Sequence, residues 1–187
     1  MRHNIILASR SPRRRELLRK IVKSFRVIES NVDESLIRAK TPLLFAKKAA
    51  AAKAKAIAEK HKNSIVIGAD TIVVLGRKIL GKPKDKKDAA AMLKSLSGTT
   101  HKVITGLAVI IPGKKMISSY ALTRVTMKKI SPQAIADYVD SGRPLDKAGA
   151  YGIQEIEDPF IEKIDGNYDN VVGLPVAQLE KILLFHE

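Results

Sequence analysis

The sequence predicts an α/β fold built on a mixed sheet, and three observations predict it. Apolar, β-branched runs alternate with segments of helical composition along the chain. A helix-start signal recurs at Ser11-Pro12, Thr41-Pro42 and Ser131-Pro132, each a capping hydroxyl followed by a proline suited to the first helical position. Finally, Ser64 to Leu75 is an apolar run of the kind found in central strands.

Asn4 to Ser9 reads as a short buried strand, and the helix opened by Ser11 has Leu17, Leu18, Ile21 and Val22 as its apolar face. Phe25 to Glu29 reads as a second strand and Ser30 to Lys40 as a loop. Thr41 starts a long Ala- and Lys-rich helix reaching about His61, in which the lysines suggest a solvated face. Gly68-Ala69-Asp70 interrupts the apolar run at 64–75 and suggests a bend or bulge. Asp85 caps a helix that Ser97-Gly98 stops. Val103 to Ile111 and Met116 to Ile130 are strand-like and joined by Pro112-Gly113, a hairpin signal. A helix from Ser131 ends near Gly142; short strands with a turn at Asp165-Gly166 follow, then a helix over Pro175 to Phe185.

The chain has 187 residues, enough for one generous domain or two small ones. It has no cysteine, which excludes disulfide frameworks, thiolate metal sites and cysteine nucleophiles, and fits a reducing cytoplasm. No apolar stretch approaches the roughly 20 residues of a membrane span. A soluble, intracellular protein is therefore expected. Lys+Arg 34 against Asp+Glu 19 gives a net charge of +15, which attracts polyanions, free nucleotides among them. Aromatic residues are only 4%, with no Trp, which weakens any single-strand nucleic-acid binder that stacks bases.

Four segments have chemical character. In Ala8 to Leu18, a strand end with Ser9 and Ser11 meets a helix start crowded by Arg13, Arg14 and Arg15. Cations there oppose the helix dipole, and a bound phosphate would remove the conflict. Asp70 sits within an apolar strand, where its carboxylate must be compensated. Such a group suits metal ligation or general-base work, or the capping of a bend. Gly76 to Pro83 matches part of a Walker A loop but has Pro83 where the magnesium-binding hydroxyl belongs, so the glycines are expected to frame a hairpin, with Lys82 in reach of a phosphate. In Pro144 to Gln154, Gly149 and Gly152 permit close backbone approach, and the Gln154 amide can read a base edge. Asp33 and Glu34 could join Asp70 on a metal. The histidines at 3, 61, 101 and 186 have no metal-ligand spacing.

Taken together, LASRSPRRRELL near the start, VDE at 32–34, GADTIV at 68–73, GKP at 81–83, LSGTTHKVITG at 96–106, DKAGAYGIQ at 146–154 and NVVGLP at 170–175 resemble the Maf family, nearly end to end and in order. DKAGAYGIQ is similar to the dTTP/UTP branch rather than the 7-methyl-GTP branch. The resemblance implies a single domain over 1–187, with an elongated two-lobed fold and central cleft like inosine-triphosphate pyrophosphatases. It implies a cytoplasmic enzyme that uses a divalent metal, Mg²⁺ or Mn²⁺, and cleaves nucleoside triphosphates to monophosphate and pyrophosphate, with a link to septum formation and division arrest. It further implies Asp70 as proton acceptor and Arg13, Thr71 and Gln154 as specificity residues. Ser9, Arg14, Lys53 and Lys82 fall among its phosphate contacts, and Glu34 with Asp70 among its metal contacts. A homodimer is open. Two departures stand out: Ala52 replaces the usual acid before Lys53, and Glu155 to Pro159 lacks the usual glycines. A basic nucleic-acid binder and a non-catalytic, nucleotide-sensing division regulator are the alternatives.

Overall fold

The structure is a computed structural model that describes residues 4–154 and 160–185. The strands among the described residues are β1 (Asn4–Leu7), β2 (Arg26–Val27), β3 (Ser64–Leu75), β4 (Lys78–Leu80), β5 (Thr100–Ile110), β6 (Ile117–Met127) and β7 (Ile161–Asp165). The helices are α1 (Pro12–Arg19), α2 (Pro42–Ala58), α3 (Lys86–Leu96), α4 (Pro132–Asp140), α5 (Tyr168–Val172) and α6 (Val176–Leu184). One mixed sheet has the order β2-β1-β3-β5-β6-β7, with β4 paired to β3. β1 runs parallel to β2 and β3, whereas β3/β4 and β6/β7 are antiparallel. The mixed α/β class read from the sequence is the one observed.

The chain divides into two compact units. The first comprises Met1–Thr71, Thr105–Ala121 and Gly173–Glu187; the second comprises Ile72–Ile104 and Leu122–Val172.

In the first unit, the core joins Ile6 and Ala8 to Val66, Ala108 and the α2 residues Ala50, Ala54 and Ile57. The alanines of α2 are a close-packing surface as well as part of a solvated helix: Ala46, Ala49, Ala50 and Ala54 are fully buried. Glycines on the strands make the approach possible. A Cβ at Gly68 would lie 2.3 Å from the Ala50 carbonyl oxygen, and one at Gly106 would lie 2.1 Å from that of Ala46. β3 continues as a strand through 68–70, so Gly68 is explained by helix contact, where the sequence suggested a bend.

In the second unit, Val73, Leu80, Leu93, Leu96, Val103, Val125, Met127 and Tyr138 lead the core. Asp85 caps α3 by accepting from the Asp88 N–H at 2.7 Å, as its place in the sequence implies. The glycines at 76 and 81 bracket β4 in a β3–β4 hairpin whose turn has Gly76 at φ +60°, the hairpin expected of this segment.

Three expectations needed correction. β2 has two residues where five were expected, and both are exposed, so little burial rewards its extension. The loop at 30–40 contains a 3-10 turn, Glu34–Leu36, capped by the Asp33 carboxylate. After Gly149 there is one described strand, β7, and a short unforeseen helix, α5, begun by the Asn167 side chain accepting from the Asn170 N–H. Glu155 to Pro159, like His3 and His186, lie outside the described residues.

Candidate active site

Two side-chain networks of the first unit bring together most of the residues singled out in its sequence. The first begins where β1 ends. Ser9 is buried, and its hydroxyl accepts from the Ser11 N–H at 3.2 Å. Ser11 caps α1 by accepting from the Arg14 N–H. One turn in, the Arg14 guanidinium donates from Nε to the Gly173 carbonyl at 2.8 Å, from Nη1 to Ser9 Oγ at 3.4 Å and from Nη2 to Thr71 Oγ1 at 3.0 Å. Thr71 in turn shares a 2.9 Å hydrogen bond with the fully buried Thr105. Burial lowers the Arg14 pKa from its ordinary value, and Arg13 lowers it further, while Asp70 and Glu34 oppose the shift. No acidic residue occupies the first turn of α1, so the arginines meet the helix dipole without an acid of that turn between them. Arg15 is exposed.

The second network is ionic. Lys53, projected from α2, lies 2.6 Å from both Asp70 Oδ1 on β3 and Glu34 Oε1 in the 3-10 turn. The close helix–strand approach permitted by Gly68 is what allows a lysine of α2 to meet an aspartate of β3. Asp70 is only 4% exposed, and its Oδ2 has no hydrogen-bond partner among the described residues. Burial raises the Asp70 pKa first of all, and Glu34 adds to the rise; Lys53 and Arg14 pull it down without cancelling it. The carboxylate is thereby a stronger proton acceptor than an exposed aspartate, held within reach of a cation.

Compensation for Asp70 therefore comes partly from the chain itself, a pairing that the sequence could not show because Lys53 and Asp70 are seventeen residues apart on different elements. Lys53, expected among the phosphate contacts, has its ammonium on two carboxylates. Glu34 and Asp70, expected to ligate metal, do share a neighbourhood through Lys53, and the buried Asp70 Oδ2, without a hydrogen-bond partner among the described residues, is an oxygen of the kind a divalent cation takes. No group of three or more His, Cys, Asp or Glu suited to a metal occurs among the described residues. Arg13 is half-buried at the start of α1, near enough to Arg14 to affect its charge, whereas Lys82 and Gln154 are exposed residues of the second unit. Thr105 and the Gly173 carbonyl were not singled out as site residues. Their signal is present in the sequence, since both fall inside Maf-like motifs, VITG and NVVGLP.

An arginine-lined helix start suits phosphate, and a buried aspartate of raised basicity suits proton transfer. Residues 4–185 match the model of the Maf-like proteins, and the chain belongs to that family. A dTTP/UTP pyrophosphatase of Clostridium botulinum (strain Okra / Type B1) is 47% identical over 186 residues, covering 97% of this chain and 96% of that protein. A dTTP/UTP pyrophosphatase of Koribacter versatilis is 47% identical over 179 residues, covering 96% and 92%. Among solved structures, the Staphylococcus aureus Ham1 protein is similar in fold, with a TM-score of 0.57 at 16% identity over 98% of this chain and all of that one.

Proposed function

We propose that the protein hydrolyses dTTP and UTP at the α–β phosphate bridge, releasing the nucleoside monophosphate and pyrophosphate. The observation that carries the chemistry is the buried Asp70 carboxylate, raised in basicity and bonded to Lys53. The pyrimidine preference rests on the nearly full-length relatives that bear that activity in their names and on the DKAGAYGIQ segment.

Asp70 accepts the proton of the attacking water. One P–O bond forms to that water and one P–O bond of the bridge breaks, the bridging oxygen leaving with pyrophosphate. The leaving group gains charge as the bond breaks, and fixed cations oppose that gain most effectively where water is excluded. Three of the five guanidinium N–H groups of Arg14 hold it against Gly173, Thr71 and Ser9. The other two are available to a phosphate oxygen, already oriented. Arg13 lies one residue earlier at the same helix start. Lys82 as a phosphate contact, and Arg13, Thr71 and Gln154 as specificity residues, are assigned by motif. Lys53 keeps Asp70 and Glu34 together against their mutual repulsion.

Glu34 and Asp70 are the residues that would hold a divalent cation, Mg²⁺ or Mn²⁺, which supplies charge neutralisation to the phosphates. The cytoplasm is the proposed location and nucleotide-pool cleaning the proposed role.

The test is pyrophosphate release across a panel of purine, pyrimidine and modified triphosphates with Mg²⁺, Mn²⁺ or EDTA. dTTP and UTP lead the panel, and EDTA abolishes release. A profile led by purines overturns the substrate assignment, and binding of triphosphate with no release overturns the enzymatic one.

A further inference from the structure

The second unit contains a buried polar pair that neither the proposed chemistry nor the packing of an apolar core requires. His101 on β5 is 1% exposed and Tyr151 is 5% exposed. His101 Nε2 and the Tyr151 hydroxyl are 2.7 Å apart, with the rings edge-to-face at 5.4 Å and 79°. The other ring nitrogen, His101 Nδ1, is buried with no hydrogen-bond partner among the described residues. A Phe or Leu at 101 would fill the same space without that orphaned group. What the polar pair adds is direction, because a hydrogen bond fixes where Tyr151 sits along and around its contact.

Tyr151 belongs to a backbone segment fixed at successive points. Gly149 has φ +70°, and a Cβ there would lie 2.9 Å from a Val73 methyl. Ala150, fully buried, is also left-handed at φ +62°, a conformation disfavoured for alanine. The Gly149 N–H donates to the Gly81 carbonyl at 3.0 Å, and the Gly152 N–H donates to the Tyr138 hydroxyl at 3.3 Å. Two residues further on the chain presents Gln154, exposed. Strained backbone retained in a tightly bonded segment marks a place where the surroundings dictate geometry. Burial holds His101 neutral, with its pKa pushed down to about 4, and pushes Tyr151 up, so the bond persists across the physiological range.

We propose that the His101–Tyr151 pair is a positioning device for Gln154 and thereby sets how strictly the protein selects the nucleotide base. This rests on the reading of the protein as a pyrimidine triphosphate pyrophosphatase. His101 and Tyr151 act through Gln154 and touch no reacting atom.

The test compares wild type with Y151F, H101F and the double variant, using dTTP and dGTP as substrates and hydrogen exchange at residues 147–154. Y151F keeps both rings and loses only the bond. It is expected to raise KM for dTTP about tenfold with kcat within threefold, to lower the dTTP/dGTP preference at least fivefold, and to speed exchange at 147–154 while α3 is unaffected. H101F shows the same shifts, and the double variant is no worse than either single one, as for two ends of one bond. An unchanged preference and exchange in Y151F, or additive losses in the double variant, overturn the proposal. A lowered melting temperature with KM and preference intact also overturns it and leaves a purely structural pair. If wild type itself releases no pyrophosphate from any triphosphate, the base-selecting role falls with the enzymatic reading, whereas the exchange measurement still decides whether the pair orders 147–154.

Discussion

In the first unit, Lys53 and Asp70 place charge in a low-dielectric setting, with the exposed Glu34 at its edge; in the second, His101 and Tyr151 place a hydrogen bond between buried neutral groups. Burial shifts both clusters, but with different consequences. It pushes Asp70 toward the protonated form and His101 toward the deprotonated one, and each shift favours the neutral state. For His101 the neutral state is the resting state at physiological pH, so the pair is quiet. For Asp70 the neutral state is what it reaches on taking a proton, so burial prepares it to do so. The difference separates a cluster arranged for chemistry from one arranged for geometry.

The largest effect expected from breaking this contrast is at Lys53. Lys53→Met leaves Asp70 and Glu34 facing each other without their shared cation, and removing one partner of a buried ion pair costs about 3–5 kcal/mol. Urea unfolding measures that loss, and a change under 1 kcal/mol would show the pair to be solvated. The neutral cluster is tested by pH. His101 is depressed from 6.5 to about 4, so its contribution is fully present above pH 6.5 and is lost as pH falls toward 4. By linkage this amounts to on the order of 3 kcal/mol, and H101F removes that part of the pH dependence from the melting curves. At the arginines, Arg14→Ala takes one hydrogen bond from each of the Gly173, Thr71 and Ser9 oxygens and removes an oriented cation, so a loss of roughly 10²-fold in kcat/KM is expected. Arg13→Ala follows, and the exposed Arg15→Ala stays within about twofold. Equal losses at all three would identify bulk charge as the cause. Smallest is the backbone contact that supports the ionic cluster. Gly106→Ala forces a methyl against α2 and destabilises by about 1–3 kcal/mol, whereas Gly81→Ala, with nothing within 4 Å, shifts the melting temperature little.

Much of this architecture was legible in the sequence because its signals are local. Ser11, Thr41, Asp85 and Ser131 cap the helices they were expected to cap. Arg14 and Asp70 were legible because each breaks a local rule, a cation at a helix start and an acid in an apolar strand. The illegible parts depend on partners distant along the chain. Nothing near Lys53 indicates that it meets Asp70 and Glu34, and nothing near Gly68 indicates that a helix carbonyl needs the space of its missing Cβ. The five-residue α5 is too short for any periodicity to reveal it, whereas β2 was legible as a strand and only its length was not. His101 and Tyr151 were visible only as members of motifs; that they bond is a property of the fold.

The central claim is that Asp70 is the working base of a charged cluster, and the direct measurement is pyrophosphate release by Asp70→Asn, with its melting curve taken on the same sample. The variant keeps the shape and removes the basicity, so kcat is expected to fall by roughly 10²–10⁴. The melting temperature behaves differently. Since the native pKa of Asp70 is raised, ionisation opposes folding, and the Asn variant gains on wild type as pH climbs from below 3.8 through that raised value. Lost turnover with an unchanged or higher melting temperature at neutral pH is the predicted result, and near-normal turnover would contradict the account.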